Sequence, residues 1–501
     1  MELLDNLALG FTIAFSAQNL AYCFAGVLLG TLVGVLPGLG PVSTISLLLP
    51  ITFGLPPISA LIMLAGIYYG AQYGGSTAAI LMNLPGEASS VITCLDGYQM
   101  ARDGRAGVAL STAAAGSFFG GCVGTAVIAV LAPTLARVAM MFGPVEYVSL
   151  MVCGLAAAIA LSDTSSFKAG AMVLFGLLLG LVGTDVALGA ERFTFGIPQL
   201  SDGVNFVVVA MGVFGFAEIM THLDQPAPRS VLPAGRHTVF PVGNERRAAS
   251  VATLRGTLVG AGLGVLPGSG AVLSSFAAYA LEKRMARDPT RFGHGAIEGI
   301  AAPEAANNAA AQTSFIPLLT LGIPSNAVMA LMLGAMTIHG IAAGPDLAVR
   351  RPDLFWGMIA SMWIGNVLLF LLNMPLIGLW VSVLTVPYRL LYPAILLVGC
   401  LGVYSVSNST FDVFMSAAFG LLGYVFVRLE CDRTSFLLGF ILGPLLEENL
   451  RRAMIFSGGD ATVFLRRPIS LALLLLGAAL MVAIARPAVA RIRSEALGVE
   501  S

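Results

Sequence analysis

Residues Gly26–Gly40 read GVLLGTLVGVLPGLG, and residues Gly256–Gly270 read GTLVGAGLGVLPGSG. A shift of 230 residues lays Gly26 on Gly256, Leu28 on Leu258, Gly30 on Gly260 and Gly34 on Gly264. Val35, Leu36, Pro37, Gly38 and Gly40 then fall on Val265, Leu266, Pro267, Gly268 and Gly270. Small residues let membrane helices pack closely, which explains Gly26 and Gly30 but not a shared Pro-Gly pair. Proline removes an N–H donor and drives the preceding residue out of α geometry, while glycine opens backbone angles closed to other residues. Each stretch therefore predicts a helix that breaks, at Pro37 in one half and at Pro267 in the other.

The surroundings make such a break expensive. The chain is 57% hydrophobic and 11% charged, with a mean hydropathy of +0.89, outside the range of soluble globular proteins. Apolar runs recur from Leu20–Leu36 to Ile469–Ile484, giving about ten to twelve membrane segments at the length a bilayer requires, some of them hairpins that do not cross. In hydrocarbon each unsatisfied backbone group costs several kcal/mol, so non-helical backbone persists only when buried in protein or lining a wet cavity. Broken ends in such a cavity are useful: helix N-termini hold anions, and terminal carbonyls hold small hard cations.

A second pair of breaks follows the first. Tyr73–Ser90 (YGGSTAAILMNLPGEASS) and Asn307–Ala327 (NNAAAQTSFIPLLTLGIPSNA) each run from small polar residues through an apolar turn to a proline, Pro85 or Pro324. The neutral oxygens and amides around the four breaks nominate Ser43, Thr44, Asn83, Ser89, Ser90, Ser325 and Asn326 as substrate contacts. They nominate Pro37, Gly38, Gly40, Ser76, Thr77, Pro267, Gly268, Gly270, Asn307, Asn308 and Thr313 as a cation site. The competing role for each such residue is interhelical glue. Ionisable residues within apolar segments are functional candidates by default, so Glu87 and Glu304 are candidate coupling groups, with helix capping as their alternative. Glu298, four residues after His294, is assigned to a helix end.

Charge orders the halves. No Lys or Arg precedes Arg102, whereas Arg229, Arg236, Arg246 and Arg247 fall in a proline-rich linker and Arg486, Arg491 and Arg493 in the tail. The positive-inside rule places linker and C-terminus in the cytoplasm and the N-terminus in the periplasm. The expected organisation is a first transmembrane repeat at 1–221, a linker at 222–253, a second repeat at 254–485 and a tail at 486–501. The two broken segments then enter from opposite sides, so the fold class is an all-α polytopic membrane protein of two inverted-topology repeats with broken helices or re-entrant hairpins.

Other classes fare worse. The net charge of -1 argues against nucleic acid. No GxxxxGK[ST] sequence occurs, so no P-loop ATP hydrolysis, no ATPase role and no cofactor beyond a coupling ion are expected. The coupling ion is Na⁺ or H⁺, neutral oxygens favouring Na⁺. The six cysteines lack CxxC pairing and the four histidines are scattered, which predicts neither a disulfide framework nor a metal site. Met1–Ala17 carries Glu2 and Asp5 instead of a basic start, so no cleavable signal peptide is expected. A serine hydrolase would have to use Ser269, which lacks a GxSxG elbow and whose place in the twin break is taken by Leu39. A channel or lipid flippase shares the hydropathy but does not call for paired breaks.

With Gly30–Pro41 (GTLVGVLPGLGP), Tyr68–Ser90, Asp96–Gly107 (DGYQMARDGRAG) and Pro303–Ala327 (PEAANNAAAQTSFIPLLTLGIPSNA), the chain resembles the large membrane subunits of the tripartite tricarboxylate transporters, the TctA family. The resemblance implies a bacterial inner-membrane symporter working with a small TctB-like membrane subunit and a periplasmic TctC-like solute-binding protein. It further implies uptake of organic acids (citrate and other tricarboxylates, dicarboxylates or aromatic carboxylates) by an elevator-like movement. A stand-alone carboxylate/proton symporter is the alternative. One departure is local: Ser325 follows Pro324 where the family more often has glycine.

Overall fold

The computed structural model describes residues 2–36, 40–162, 164–185, 189–224, 232, 240–266, 270–384 and 388–496. Pro37, Gly38, Pro267 and Gly268 lie outside the described residues, as does Ser269.

Helices run α1 (Glu2–Ala14), α2 (Ala17–Gly34), α3 (Pro41–Thr52), α4 (Pro57–Met82), α5 (Val91–Met100), α6 (Ala106–Ala139), α7 (Pro144–Ala160) and α8 (Ser166–Gly180). A hairpin of β1 (Gly183–Thr184) and β2 (Glu191–Arg192) follows. Then come α9 (Phe206–Ala210) and α10 (Ala217–Asp224), joined by π-helical Met211–Phe216, and α11 (Gly243–Leu263), α12 (Gly270–Met285), α13 (Glu298–Thr313), α14 (Phe315–Leu321) and α15 (Ala327–Ile338). The chain ends with α16 (Leu347–Arg350), α17 (Pro352–Asn373), α18 (Ile377–Leu384), α19 (Tyr388–Ser407), α20 (Thr410–Arg428), α21 (Arg433–Phe456), α22 (Val463–Arg466) and α23 (Pro468–Ala496).

Among the described residues four helical stretches are long and apolar enough to cross a bilayer: Ala17–Gly34, Ala88–Ala139, Pro352–Asn373 and Thr410–Arg428. Apolar helices of 10–17 residues make up much of the rest. The protein is an all-α, multi-pass membrane protein. Apolar runs that look continuous in sequence divide in space: Leu254–Leu281 becomes α11 and α12, and Thr313–Ile338 becomes the end of α13, α14 and α15.

The chain forms two compact units, Met1–Arg137 with Val207–Tyr424, and Val138–Phe206 with Val425–Ser501. Each therefore draws on both halves of the sequence. In the first unit α2 packs along α4, and α11 along α13. Lipid tails are as apolar as leucine, so burial alone does not drive helices together in a bilayer, and close backbone approach takes its place. A Cβ on Gly26, Gly30 or Gly34 would lie 2.2, 2.3 or 2.3 Å from the carbonyl oxygens of Met63, Ile67 and Ala71 on α4. A Cβ on Gly256 or Gly260 would lie 2.2 or 2.1 Å from those of Ala302 and Ala306 on α13. The glycines that match in sequence thus do the same work in both halves, and the carbonyls they meet are themselves spaced by four residues. Helix α4 is buried at nearly every position from Ser59 to Met82.

The second unit packs α8 along α21 and α7 along α23. Gly176 and Gly439 face each other across the α8–α21 contact, where a Cβ would lie 2.1 Å from the Phe436 oxygen and 2.3 Å from the Val173 oxygen. Asp185 is clamped by Arg451 through two bonds of 2.9 and 2.8 Å, with Arg192 and Glu447 completing the network.

Gly30→Ala and Gly260→Ala are each expected to destabilise the purified chain by about 1–3 kcal/mol through overpacking. Gly262→Ala, with open space around it, is expected to leave the thermal unfolding midpoint in detergent unchanged or raised.

Candidate functional site

The described residues on either side of Pro37 and Pro267 show both first breaks. Helix α2 ends at Gly34 and α3 starts behind the extended cap residue Gly40. Helix α11 ends at Leu263, and α12 starts at Gly270 with φ 47°. The second breaks are two left-handed helix ends: Asn83 (φ 56°) stops α4 and Gly322 (φ 70°) stops α14. Asparagine and glycine are the residues that tolerate this cap, so Asn83 already has a structural role. Pro85 and Pro324 follow, and then two N-caps: Glu87 opens the short 3₁₀ turn Ala88–Ser90, and Asn326 opens α15.

One register relates these features. Met63/Ala302, Ile67/Ala306, Ala71/Ala310, Asn83/Gly322, Pro85/Pro324 and Glu87/Asn326 share a single shift of 239 residues. Each cap residue lies against the resumed end of the first break in its own half. A Cβ on Gly40 would lie 3.8 Å from Glu87 Cβ, and one on Gly270 would lie 3.6 Å from Asn326 Cβ. Each cap also meets the other half. Asn307 Nδ2 donates to Glu87 Oε1 at 3.1 Å, and the Tyr68 hydroxyl faces Asn326 and Ser314. Positions 68 and 307 are themselves related by the shift of 239. Ser89 donates to Glu87 as well.

Glu304 forms a second centre. It is 1% exposed and accepts from three hydroxyls: Ser76 at 2.7 Å and Ser117 at 3.1 Å on Oε2, and Thr93 at 2.6 Å on Oε1. Among the described residues neither Glu87 nor Glu304 has an ion-pair partner. Glu298, by contrast, opens α13 and pairs with Arg291 at 3.4 Å, as its assignment to a helix end requires.

The other nominated residues are mostly occupied by local bonds. Thr44 donates to the Gly40 carbonyl, Thr77 to that of Tyr73, Thr313 to that of Ala309, and Asn308 to that of Glu304. Ser43 reaches the Phe214 carbonyl at 3.4 Å, Ser325 reaches that of Ser314 at 3.3 Å, and Ser90 donates to that of Glu87. Asn326 accepts from the Met329 amide at 2.9 Å. Ser325 fits where its counterpart Gly86 could not change: a Cβ on Gly86 would lie 2.4 Å from Gly75 Cα, whereas Ser325 hydrogen-bonds along the chain at Ser314, the counterpart of Gly75. Asn307 Oδ1 and Gln312 Oε1 are buried without hydrogen-bond partners among the described residues. Buried polar atoms without partners are rare and costly.

Thr93, Ser117, Tyr68 and Asp96 carry weight that single-sequence reasoning missed. Asp96 is buried and accepts from the amides of Gly293, Gly295 and Ala296 at 2.9, 2.8 and 2.7 Å, and from Tyr279 at 3.0 Å. It ties α5 to the turn that launches α13, the helix carrying Glu304 and Asn307. Its sequence signal was present in the Asp96-Gly97 pair, but the glycine-spaced amides that answer it lie some 200 residues away.

Residues 20–438 match the tripartite tricarboxylate transporter TctA family. The chain belongs to the TctA family. It is 56% identical over 489 residues, covering 98% of this chain and 97% of the relative, to an "Uncharacterized 52.8 kDa protein in TAR-I ttuC' 3'region" of Agrobacterium vitis. It is 62% identical over 215 residues, 43% of this chain and 89% of the relative, to an "Uncharacterized protein in TAR-II ttuC' 3'region" of the same organism. No solved structure matches. As a TctA protein the chain is a membrane subunit of a transporter family, which is a non-enzymatic class, and the broken helices described above lie within the matched span.

Asp96→Ala is expected to lower stability by about 2–3 kcal/mol, since it leaves the buried Ala296 amide and the half-buried Gly293 and Gly295 amides without their charged acceptor. Accelerated limited proteolysis of the 286–297 turn in the purified variant is the measurement.

Proposed function

We propose that the chain is the large transmembrane subunit of a binding-protein-dependent secondary transporter that imports organic carboxylates by cation symport, with Na⁺ as the coupling ion. The bond that supports this most directly is Asn307 to Glu87, which joins the two halves at the broken helix ends. Intramembrane ionisable groups mark substrate or ion pathways, and broken helices paired across two repeats mark the binding region of secondary transporters. The shared register, together with the basic linker and tail, favours inverted-topology repeats, with linker and C-terminus cytoplasmic and the N-terminus periplasmic.

The two caps are unequal in charge. Glu87 already places a carboxylate at one helix start, whereas α15 starts at the neutral Asn326. A helix N-terminus favours an anion, so the substrate carboxylate belongs at the Asn326 end, with Ser325 and Gly270 beside it. The acidic side, Glu87 with Asn307, suits the cation or a coupling proton. A tricarboxylate, dicarboxylate or aromatic acid is delivered by a periplasmic TctC-like protein, a TctB-like subunit completes the membrane assembly, and an elevator-like displacement carries the loaded site across an inner membrane.

Cells carrying this chain with its two partner subunits are expected to accumulate a labelled carboxylate only with the solute-binding protein present and an inward Na⁺ gradient imposed. Uptake that persists without the binding protein supports the stand-alone symporter, and uptake indifferent to Na⁺ removes Na⁺ coupling. Asn307→Ala is expected to reduce the initial rate about tenfold or more, equivalent to about 1.4 kcal/mol.

A further inference from the structure

We propose that a cleft beside Glu304, lined by Tyr73, Ser76, Thr77, Ser117 and Asn373, binds one Na⁺ whose charge is balanced by the Glu304 carboxylate. The proposal deepens the cation-coupled function above and rests on it only for what the ion is used for. All these residues belong to the first unit.

The cleft presents acceptors. Asn373 spends its amide nitrogen on the Leu369 carbonyl at 2.9 Å, so its carbonyl oxygen is the free end, and that oxygen has no hydrogen-bond partner among the described residues. The Tyr73 hydroxyl is likewise without a partner. The two residues are 6% and 4% exposed, so these oxygens are withdrawn from bulk solvent, where an unmet acceptor costs about 1–3 kcal/mol. A serine hydroxyl has one proton. Ser117 spends its own on Glu304 Oε2, and Ser76 lies closer to that oxygen (2.7 Å) than to the Gln72 carbonyl (3.2 Å). Thr77 donates to the Tyr73 carbonyl. On its polar side the wall therefore offers lone pairs from a carbonyl and several hydroxyls, with the Tyr73 O–H free to turn away from an ion, and Leu110, Ala113, Ala114 and Ile377 complete the lining; hard, neutral oxygens of this kind suit an alkali cation.

Glu304 supplies the matching charge from behind the hydroxyls. A buried carboxylate without a counter-charge is strongly unfavourable, and among the described residues no Lys, Arg or His pairs with it. One monovalent cation in the cleft answers both the unpaired charge and the unmet oxygens. A divalent ion would need further carboxylates, and the lining contains none. The centre is also not duplicated. The shift of 239 lays Glu304 on Ala65 and Ser76 on Phe315, so this is a single asymmetric site, unlike the paired caps.

The test is thermal unfolding of the purified full-length chain in detergent, titrated with NaCl against choline chloride at constant ionic strength. It needs neither substrate nor partner subunits. The wild type is expected to show a saturable rise in melting temperature with Na⁺ and none with choline. Asn373→Leu is expected to raise the half-saturating Na⁺ concentration about tenfold or more, and Glu304→Gln to abolish the shift. No Na⁺-specific rise in the wild type, or wild-type half-saturation in Asn373→Leu, overturns the site. Should Asn373→Leu fail to fold, Tyr73→Phe, which deletes one oxygen, decides the matter by the same criterion. A saturable Na⁺ shift with Na⁺-independent uptake keeps the site and overturns Na⁺ coupling, whereas Na⁺-dependent uptake without the shift does the reverse.

Discussion

Backbone-close contact between helices is the constraint on which the rest of this protein depends. Membrane helices gain little from apolar burial against one another, so α2 and α11 approach α4 and α13 through glycine faces that leave no room for a Cβ. That contact sets the axial register of each pair. Because the same four-residue rhythm operates in both halves, it delivers Asn83 and Gly322, and then Glu87 and Asn326, to corresponding places. The broken ends are held by neighbours that cannot slide.

Polar chemistry is concentrated where that scaffold places it. Glu87 and Glu304 both sit among hydroxyl and amide donors and without basic partners among the described residues. The paired caps and the single Glu304 centre differ in kind. The caps repeat with one substitution of charge, acidic in one half and neutral in the other, which turns a symmetric frame into a polarised one. Glu304 has alanine as its counterpart, so the halves are related in backbone and specialised in side chains. Asp96 serves neither centre directly. It fixes the turn ahead of α13 and so the position from which Glu304 and Asn307 project.

Much of this was legible in the sequence. The membrane class followed from hydropathy, the breaks from two Pro-Gly pairs and two later prolines, and the family from motifs spread over most of the chain. The glycines Gly26, Gly30 and Gly34 could be assigned to close packing, but not to the particular carbonyls of Met63, Ile67 and Ala71 that require them. Pro37, Gly38, Pro267 and Gly268 fall outside the described residues, so the breaks are seen through their flanks. Several polar residues nominated by neighbourhood, among them Thr44, Thr77 and Thr313, bond to carbonyls of their own helices. A hydroxyl three or four residues past a carbonyl is a local partner that sequence cannot distinguish from a ligand.

The sequence by itself determined what is periodic or local: apolar length, helix punctuation, charge asymmetry between loops, and a repeated glycine pattern. These depend on neighbours along the chain, which a single string contains. Only the tertiary structure decided which distant groups meet. The three hydroxyls on Glu304 come from positions 76, 93 and 117, and the amides on Asp96 from positions 293, 295 and 296. A hydrogen bond depends on distance in space, and for residues some 200 positions apart that distance is set by helix packing, which no local pattern encodes.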